Sequence, residues 1–348
     1  MAKKKEEAFN YPAELRTLKE RGPERLYLLW GPEDYLREQY LFQLKKICLP
    51  EGEDDFSYKR IDGPALDANA FQQAVDAMPF MTEHTLIELR DVDINKLADA
   101  DACMKTISDI PDYCTIVFVQ NAEYEPDGRL RFVKTLRSEG KELKFTQQSQ
   151  GMLTDWIVRR FAAAGKRIDL SAAQRLIFIS GDLMSRLIPE IEKIAAYAST
   201  DKVTQEDVEA VANHIPEAVV FEMTELMAQK KVNSALSVLS ELLADKNNEP
   251  IMMLAVLGKQ MRQLYAARLA LEKNLGTKYV MEVCSMKYDY IAAKLLTAAK
   301  GFTLTQLRRA VELCAETDYQ MKSSGADPKE LLKEAVLRIA AGESHAQN

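Results

Sequence analysis

The stretch LYLLWGPEDYLREQY, Leu26 to Tyr40, breaks an apolar, strand-like run at Gly31-Pro32 and passes at once into a helical pattern. Such a junction is where a phosphate loop sits. The pattern G-x-x-x-x-G-K-[ST] lets backbone N–H groups wrap the phosphates, its lysine reaches the outer ones, and its hydroxyl holds Mg²⁺. With Gly31 as the first glycine, Leu36 falls where the second belongs, Arg37 replaces the lysine and Glu38 the hydroxyl. A leucine obstructs the tight turn, and a carboxylate repels phosphates. Gly-Lys recurs only in GKE, GKR and GKQ, never before Ser or Thr. Gly31, Leu36, Arg37 and Glu38 therefore read as a degenerate phosphate loop that is not expected to bind nucleotide.

An ATPase also needs an apolar strand ending in acidic residues, to hold the metal and act on water. TLIELRDVD supplies Arg90-Asp91 and TIVFVQN supplies Gln120-Asn121. Neither meets the requirement, and Asp91 alone reads as a solvated strand-end residue. Other chemistries lack their patterns too. His84, His214 and His345 lie far apart without ligand spacing. No Gly-x-Ser-x-Gly elbow is present. No catalytic residue, metal or cofactor is expected.

Net charge is −7, from 46 Lys+Arg against 53 Asp+Glu, so the chain does not grip nucleic acid by a basic field of its own. Any DNA contact is local or shared with partners. The five cysteines, Cys48, Cys103, Cys114, Cys284 and Cys314, contain no Cys-x-x-Cys pair, which argues against a zinc ribbon and for reduced, mostly buried thiols. MAKKKEEAFN has no apolar segment behind its lysines. No run approaches the roughly 18 apolar residues of a membrane span. A cytoplasmic protein without membrane partners is expected.

Those residues need a frame. Over the first 150 residues, strand-like runs at Leu26–Trp30, Phe56–Ile61, Thr85–Leu89, Thr115–Gln120 and Leu143–Thr146 alternate with helical patterns. The helical patterns include Leu36, Tyr40, Leu44 and Ile47, then Leu66–Met78 and Ile94–Ile107. CTIVFVQ is apolar on both faces, as a sheet covered on each side requires. This alternation predicts a three-layer α/β domain with a parallel five-stranded sheet. After Gln150 the strand signal vanishes. GMLTDWIVRRFAAAGKRI reads as a helix stopping near Gly165, Ser171 and Thr204 as N-caps, and Pro189 as a kink or a new turn. A small helical domain ends near Pro216. Beyond it, Leu254, Leu257, Met261, Leu264, Ala267 and Leu271 form one apolar stripe, and Leu304, Leu307, Val311, Cys314 and Met321 another. The expected domains are 1–149, 150–215 and 216–348.

Four stretches, taken in order, resemble the delta subunit of the bacterial DNA polymerase III clamp loader. LYLLWGPEDYLREQYLFQL is similar to that family's opening strand, glycine and acidic pair. DAMPFMTEHTLIEL is similar to its segment leading into the third strand. SGDLMSRLIPEIEKIAAYA and ETDYQMKSSGADPKELLKEAVLRI resemble its Gly-Asp-Leu helix and its closing stretch. Together they span roughly residues 25 to 340. The resemblance implies an AAA+-like core, a helical lid and an all-α collar. It implies a non-ATPase subunit of a nucleotidyltransferase holoenzyme, with no activity expected of this chain alone. The implied partners are the sliding clamp, ATPase subunits of the tau/gamma type, delta-prime, and primer-template DNA within the complex, in a bacterial cytoplasm at the nucleoid. The motor subunits and delta-prime usually carry a four-cysteine module; its absence here favours delta.

Phe80 and Met81, behind Pro79, admit two readings from the residues alone: a helix end packed into the core, or paired apolar anchors on a loop. The resemblance implies the second, with Phe80 and Met81 entering an apolar pocket on the clamp and Pro79 stiffening the approach. Thr85 stands where the family often carries a basic residue. Tyr319 and Lys322 are candidates for DNA contact by base stacking, against a reading of an aromatic at a helix–helix joint beside a solvated lysine. Two competitors remain: an ATPase with a divergent phosphate loop, and a helical scaffold unrelated to replication.

Overall fold

The computed structural model describes residues 9–50, 52, 57–79 and 82–342. The chain divides into two units, residues up to 148 with 183–185, and residues 149–182 with 186 onward.

The first unit alternates helix and strand: α1 (Tyr11–Arg21), β1 (Leu26–Trp30), α2 (Asp34–Cys48), β2 (Tyr58–Asp62), α3 (Ala68–Asp76), β3 (Thr85–Arg90), α4 (Ala100–Ser108), β4 (Cys114–Val119), α5 (Arg131–Glu139) and β5 (Lys141–Lys144). The strands lie in the order β2-β3-β4-β1-β5, all parallel, with Leu28 beside Phe118 and Ile87 beside Ile116. Every residue of β1 and β4 is buried, which is why both read as unbroken apolar runs. On one face Phe118 meets Phe71 and Phe132 edge-on, with centroids 6.4 and 5.9 Å apart.

Strand placements from sequence agree within two residues, save that Phe56 lies outside the described residues. The pattern over Leu66–Met78 overran its helix. α3 ends at Asp76 and Ala77 is extended; Pro79 disfavours the helical region in Met78, so the helix stops before reaching it. α1 was missed: its few apolar residues form no stripe, and only Leu18 is buried. Its start was legible in Asn10-Tyr11-Pro12, where Asn10 accepts the Ala13 N–H and Pro12 sits in the first turn.

The second unit holds α6 (Gln150–Ala163), β6 (Arg167–Ile168), α7 (Leu170–Ser180), α8 (Met184–Tyr197), β7 (Lys202–Val203), α9 (Gln205–Val211) and α10 (Pro216–Ala228). It continues with α11 (Val232–Leu242), α12 (Pro250–Glu272), α13 (Thr277–Val283), α14 (Asp289–Ala299), α15 (Leu304–Ser323) and α16 (Pro328–Ala341). Thr204 caps α9 in a reciprocal box with Asp207. Ser171 does not cap α7, which begins one residue earlier with Asp169 in the cap position. Pro189 lies inside α8 without ending it. The strand signal does not vanish entirely, since β6 and β7 pair in parallel; two residues each are too few to leave a period. The α12 stripe is buried at Leu254, Leu257, Met261, Leu264 and Ala267. The α15 stripe is buried at Leu307 and Cys314 and half-exposed at Leu304, Val311 and Met321.

Cys48, Cys103, Cys114 and Cys314 are buried free thiols. Among the described residues, no helix is long and apolar enough to cross a membrane, and no cluster of His, Cys, Asp and Glu could hold a metal.

Candidate functional site

Only Gly31, Pro32 and Glu33 separate β1 from α2, so Leu36, Arg37 and Glu38 all lie within the helix. Gly31 has φ +114°, and a Cβ there would stand 2.6 Å from the Phe145 carbonyl oxygen. The turn is thus pressed against the end of β5. A phosphate nest needs unspent backbone donors. Pro32 has none, the Glu33 N–H donates to the Phe145 carbonyl at 3.0 Å, and the Tyr35 N–H donates to the Asp34 carboxylate at 2.9 Å.

Side chains complete the closure. Leu36 and Arg37 are buried, and Arg37 Nη1 donates to the Gly31 carbonyl at 2.8 Å. Burial lowers the Arg37 pKa, against the opposing pull of Glu38; a guanidinium remains charged regardless. The Glu33 carboxylate is fully buried and accepts the N–H of Met184, which belongs to the same unit.

Glu38 and Arg90 meet. They stand at the two positions where a working site would place its metal-holding hydroxyl and its strand-end acid. Arg90 Nη1 and Nη2 donate to the two Glu38 oxygens at 2.8 and 2.9 Å, a bidentate pair. Arg90 Nε also donates to Glu88 at 2.7 Å. Glu88 is wholly buried and further accepts the Tyr58 hydroxyl at 2.7 Å, with Lys45 Nζ at 3.0 Å. Burial by itself would raise the Glu88 pKa; the hydrogen bonds from Tyr58, Lys45 and Arg90 outweigh it and hold the carboxyl below its ordinary value. Arg90 is pushed up, first by Glu38. Asp91 turns out to solvent with φ +57°. The carboxyl edge of the sheet is thus filled by its own charges.

The opposite edge is open. α3 starts at Asp67, which accepts the Asn69 and Ala70 N–H groups, and buries Phe71, Ala74 and Val75. Helical spacing would put Met78 on that same buried face. The helix has ended by then, and Met78 is 80% exposed, the most exposed large apolar residue among those described. Pro79 beside it is half-buried. Phe80 and Met81 lie outside the described residues. Thr85 is buried as the first residue of β3. Met78 was missed as a candidate; the signal was the Met-Pro pair ending the helical pattern.

In the second unit, Tyr319 is 72% exposed on α15 and does not sit in a helix–helix joint. Lys322, one turn on, pairs with Asp318 at 2.7 Å. These two share a helix, while Met78 and Pro79 belong to the other unit.

Comparison with known proteins follows the same lines. The family model described as DNA polymerase III, delta subunit matches residues 27–146. The model for the C-terminal domain of the same family matches residues 217–339. The chain is 24% identical over 337 residues to the DNA polymerase III subunit delta of Bacillus subtilis, covering 93% of this chain and 95% of that one. It is 20% identical over 313 residues to the corresponding protein of Escherichia coli, covering 90% of each. Among solved structures, the Bacillus subtilis DNA clamp loader delta protein superposes with a TM-score of 0.54 at 21% identity, covering 95% of this chain and all of that one.

Proposed function

Since the chain belongs to the DNA polymerase III delta-subunit family, we propose that it is the arm of a clamp loader that grips the sliding clamp, opens its ring for loading onto primed DNA, and hydrolyses no ATP itself. The observation that carries this reading is the exposed Met78 at the end of α3, directly before Pro79, Phe80 and Met81. An exposed methionine beside two further large apolar residues is a costly surface for a lone protein and a suitable one for an apolar pocket. Fully burying a Phe or Met contributes about 1.5–3 kcal/mol, and binding energy concentrates in such anchors.

The filled turn after β1 supports the second half of the reading. Arg37 occupies the Gly31 carbonyl, and Glu38 and Arg90 satisfy each other, which leaves triphosphate and metal little to bind. ATP would be consumed by neighbouring subunits of the tau/gamma type, with delta-prime completing the ring. We read residues 1–149 as the AAA+-like core, 150–215 as the lid and 216–348 as the collar that packs in that ring. Tyr319, exposed beside Lys322, is the residue we assign to primer-template contact. The site of action is the bacterial cytoplasm at the nucleoid.

Binding of the purified chain to the sliding clamp of the same organism tests the grip. Phe80→Ala with Met81→Ala should weaken it at least a hundredfold, from about 3–6 kcal/mol of lost burial. Unchanged affinity in the double variant would remove the assignment. Titration with labelled ATP separates the remaining competitor, because micromolar binding by the isolated chain would restore the divergent-ATPase reading.

A further inference from the structure

The segment carrying Met78 and Pro79 is tied at both ends to one short stretch of chain, Tyr113 to Thr115, where β4 begins. On the entry side, the Tyr113 hydroxyl donates to the carbonyl of Asp76, the last residue of α3, at 3.3 Å. That carbonyl has no helical successor to accept from, so the phenol supplies its partner. Gln72 binds the Asp76 carboxylate from one turn back, with Nε2 2.9 Å from both oxygens, and Thr106 holds Gln72 in turn. On the exit side, the Thr115 hydroxyl meets His84 Nε2 at 2.9 Å. The same hydroxyl donates its proton to the Glu24 carbonyl at 3.2 Å. With Nε2 as the donor both contacts are satisfied at once, and together they hold the ring's orientation. The Tyr113 carbonyl accepts the Thr85 N–H at 2.7 Å, and the Thr82 hydroxyl donates to the His84 carbonyl. Tyr113 itself packs against the apolar core of the sheet, so both ties are referred to a rigid element.

We infer that Tyr113 and Thr115 are positioning residues for clamp binding: from the start of β4 they hold the chain on either side of Met78, so that this side chain is presented at a lower ordering cost on contact. The inference rests on the clamp-gripping reading above. Neither residue touches the clamp in this account. Preorganisation raises affinity by removing the entropy that a loose segment would lose on docking, and residues 77–79 and 82–84 have no helix or strand of their own to do so.

The test uses the full chain and the sliding clamp of the same organism. Tyr113→Phe removes only the hydroxyl, and Thr115→Val keeps the shape of the side chain. Tyr113→Phe should weaken clamp binding about fivefold, the worth of a single lost hydrogen bond, with a melting temperature unchanged within error; Thr115→Val, which loses its contacts to both His84 and the Glu24 carbonyl, should weaken it at least as much and lower the melting temperature as well. Amide exchange should speed up at residues 77–79 and 82–84 but not within β3 or β4. A mutant cycle separates positioning from general weakening. In a Met78→Ala background, Tyr113→Phe should cost less than about twofold, because the side chain it helps to place is gone. Equal losses in both backgrounds, or unchanged affinity in both single variants, would overturn the inference. A parent chain that fails to bind the clamp at all would instead defeat the reading of function beneath it.

Discussion

The two edges of the sheet in the first unit make opposite use of their side chains. At the carboxyl ends of the strands, where α/β proteins usually hold ligands, Arg37, Glu38 and Arg90 are bound to one another or to backbone, and Arg90 reaches back to Glu88 inside β3. At the amino ends, the turn before β3 leaves a methionine almost fully in water. At the carboxyl edge Glu38 of α2 and Arg90 of β3 hold each other. At the amino edge the polar groups tie one segment to the start of β4, and the side chain of Met78 is left in water. A site that satisfies itself is spent on the fold; one left unsatisfied is open to a partner.

That contrast can be broken most forcefully at Arg90. Arg90→Ala leaves buried Glu88 with Tyr58 and Lys45 alone and Glu38 with only its longer contact to Arg37 at 3.8 Å, and should cost about 1–3 kcal/mol of stability, as loss of a charged hydrogen-bond partner does. Denaturant unfolding measures it. Clamp affinity of the folded fraction should be unaltered, because the proposed grip lies at the other edge; a parallel loss of affinity would show that the edges are not independent.

Acid should sharpen the same contrast more gently. The Glu88 carboxyl is held below its ordinary value in the folded chain, so the unfolded chain binds its proton more readily. Its contribution is therefore present above the unfolded carboxylate pKa, about 4.3, and is lost as pH falls through the folded value. Unfolding curves between neutral pH and pH 3 should steepen in that window for the parent chain. They should flatten there in Glu88→Gln, whose baseline stability is lower. Identical slopes would remove Glu88 from the account.

The smallest effect is expected at Tyr319, in the other unit. Tyr319→Ala should leave the melting temperature within error, since the side chain is exposed. It should weaken primer-template binding by the assembled loader by about 1–3 kcal/mol, the range for one base stacked on an aromatic. Unchanged DNA affinity would return Tyr319 to ordinary surface.

Much of this was legible in residue order. The runs at Leu26–Trp30 and Cys114–Val119 are apolar on both faces and could only be covered strands. The losses at Leu36, Arg37 and Glu38 were readable because a phosphate loop is defined by residues close in sequence. Capping at Thr204 was readable for the same reason. α1 escaped because its stability owes little to a buried stripe, and the β6–β7 pair because neither strand is long enough to have a period.

By itself, then, the chain's residue order determined which segments are strands, how many there are in the sheet, and that the residues of the usual phosphate-loop pattern do not occur after β1. Only tertiary structure decided that β1 lies between β4 and β5, that Glu38 finds Arg90 across a sequence separation of 52, and that Met78 leaves the buried face its spacing assigns it. The physical reason is range. Propensity, capping and periodicity act over one or two turns of chain, whereas strand order, ion pairing and exposure are settled by what the folded chain brings to each surface.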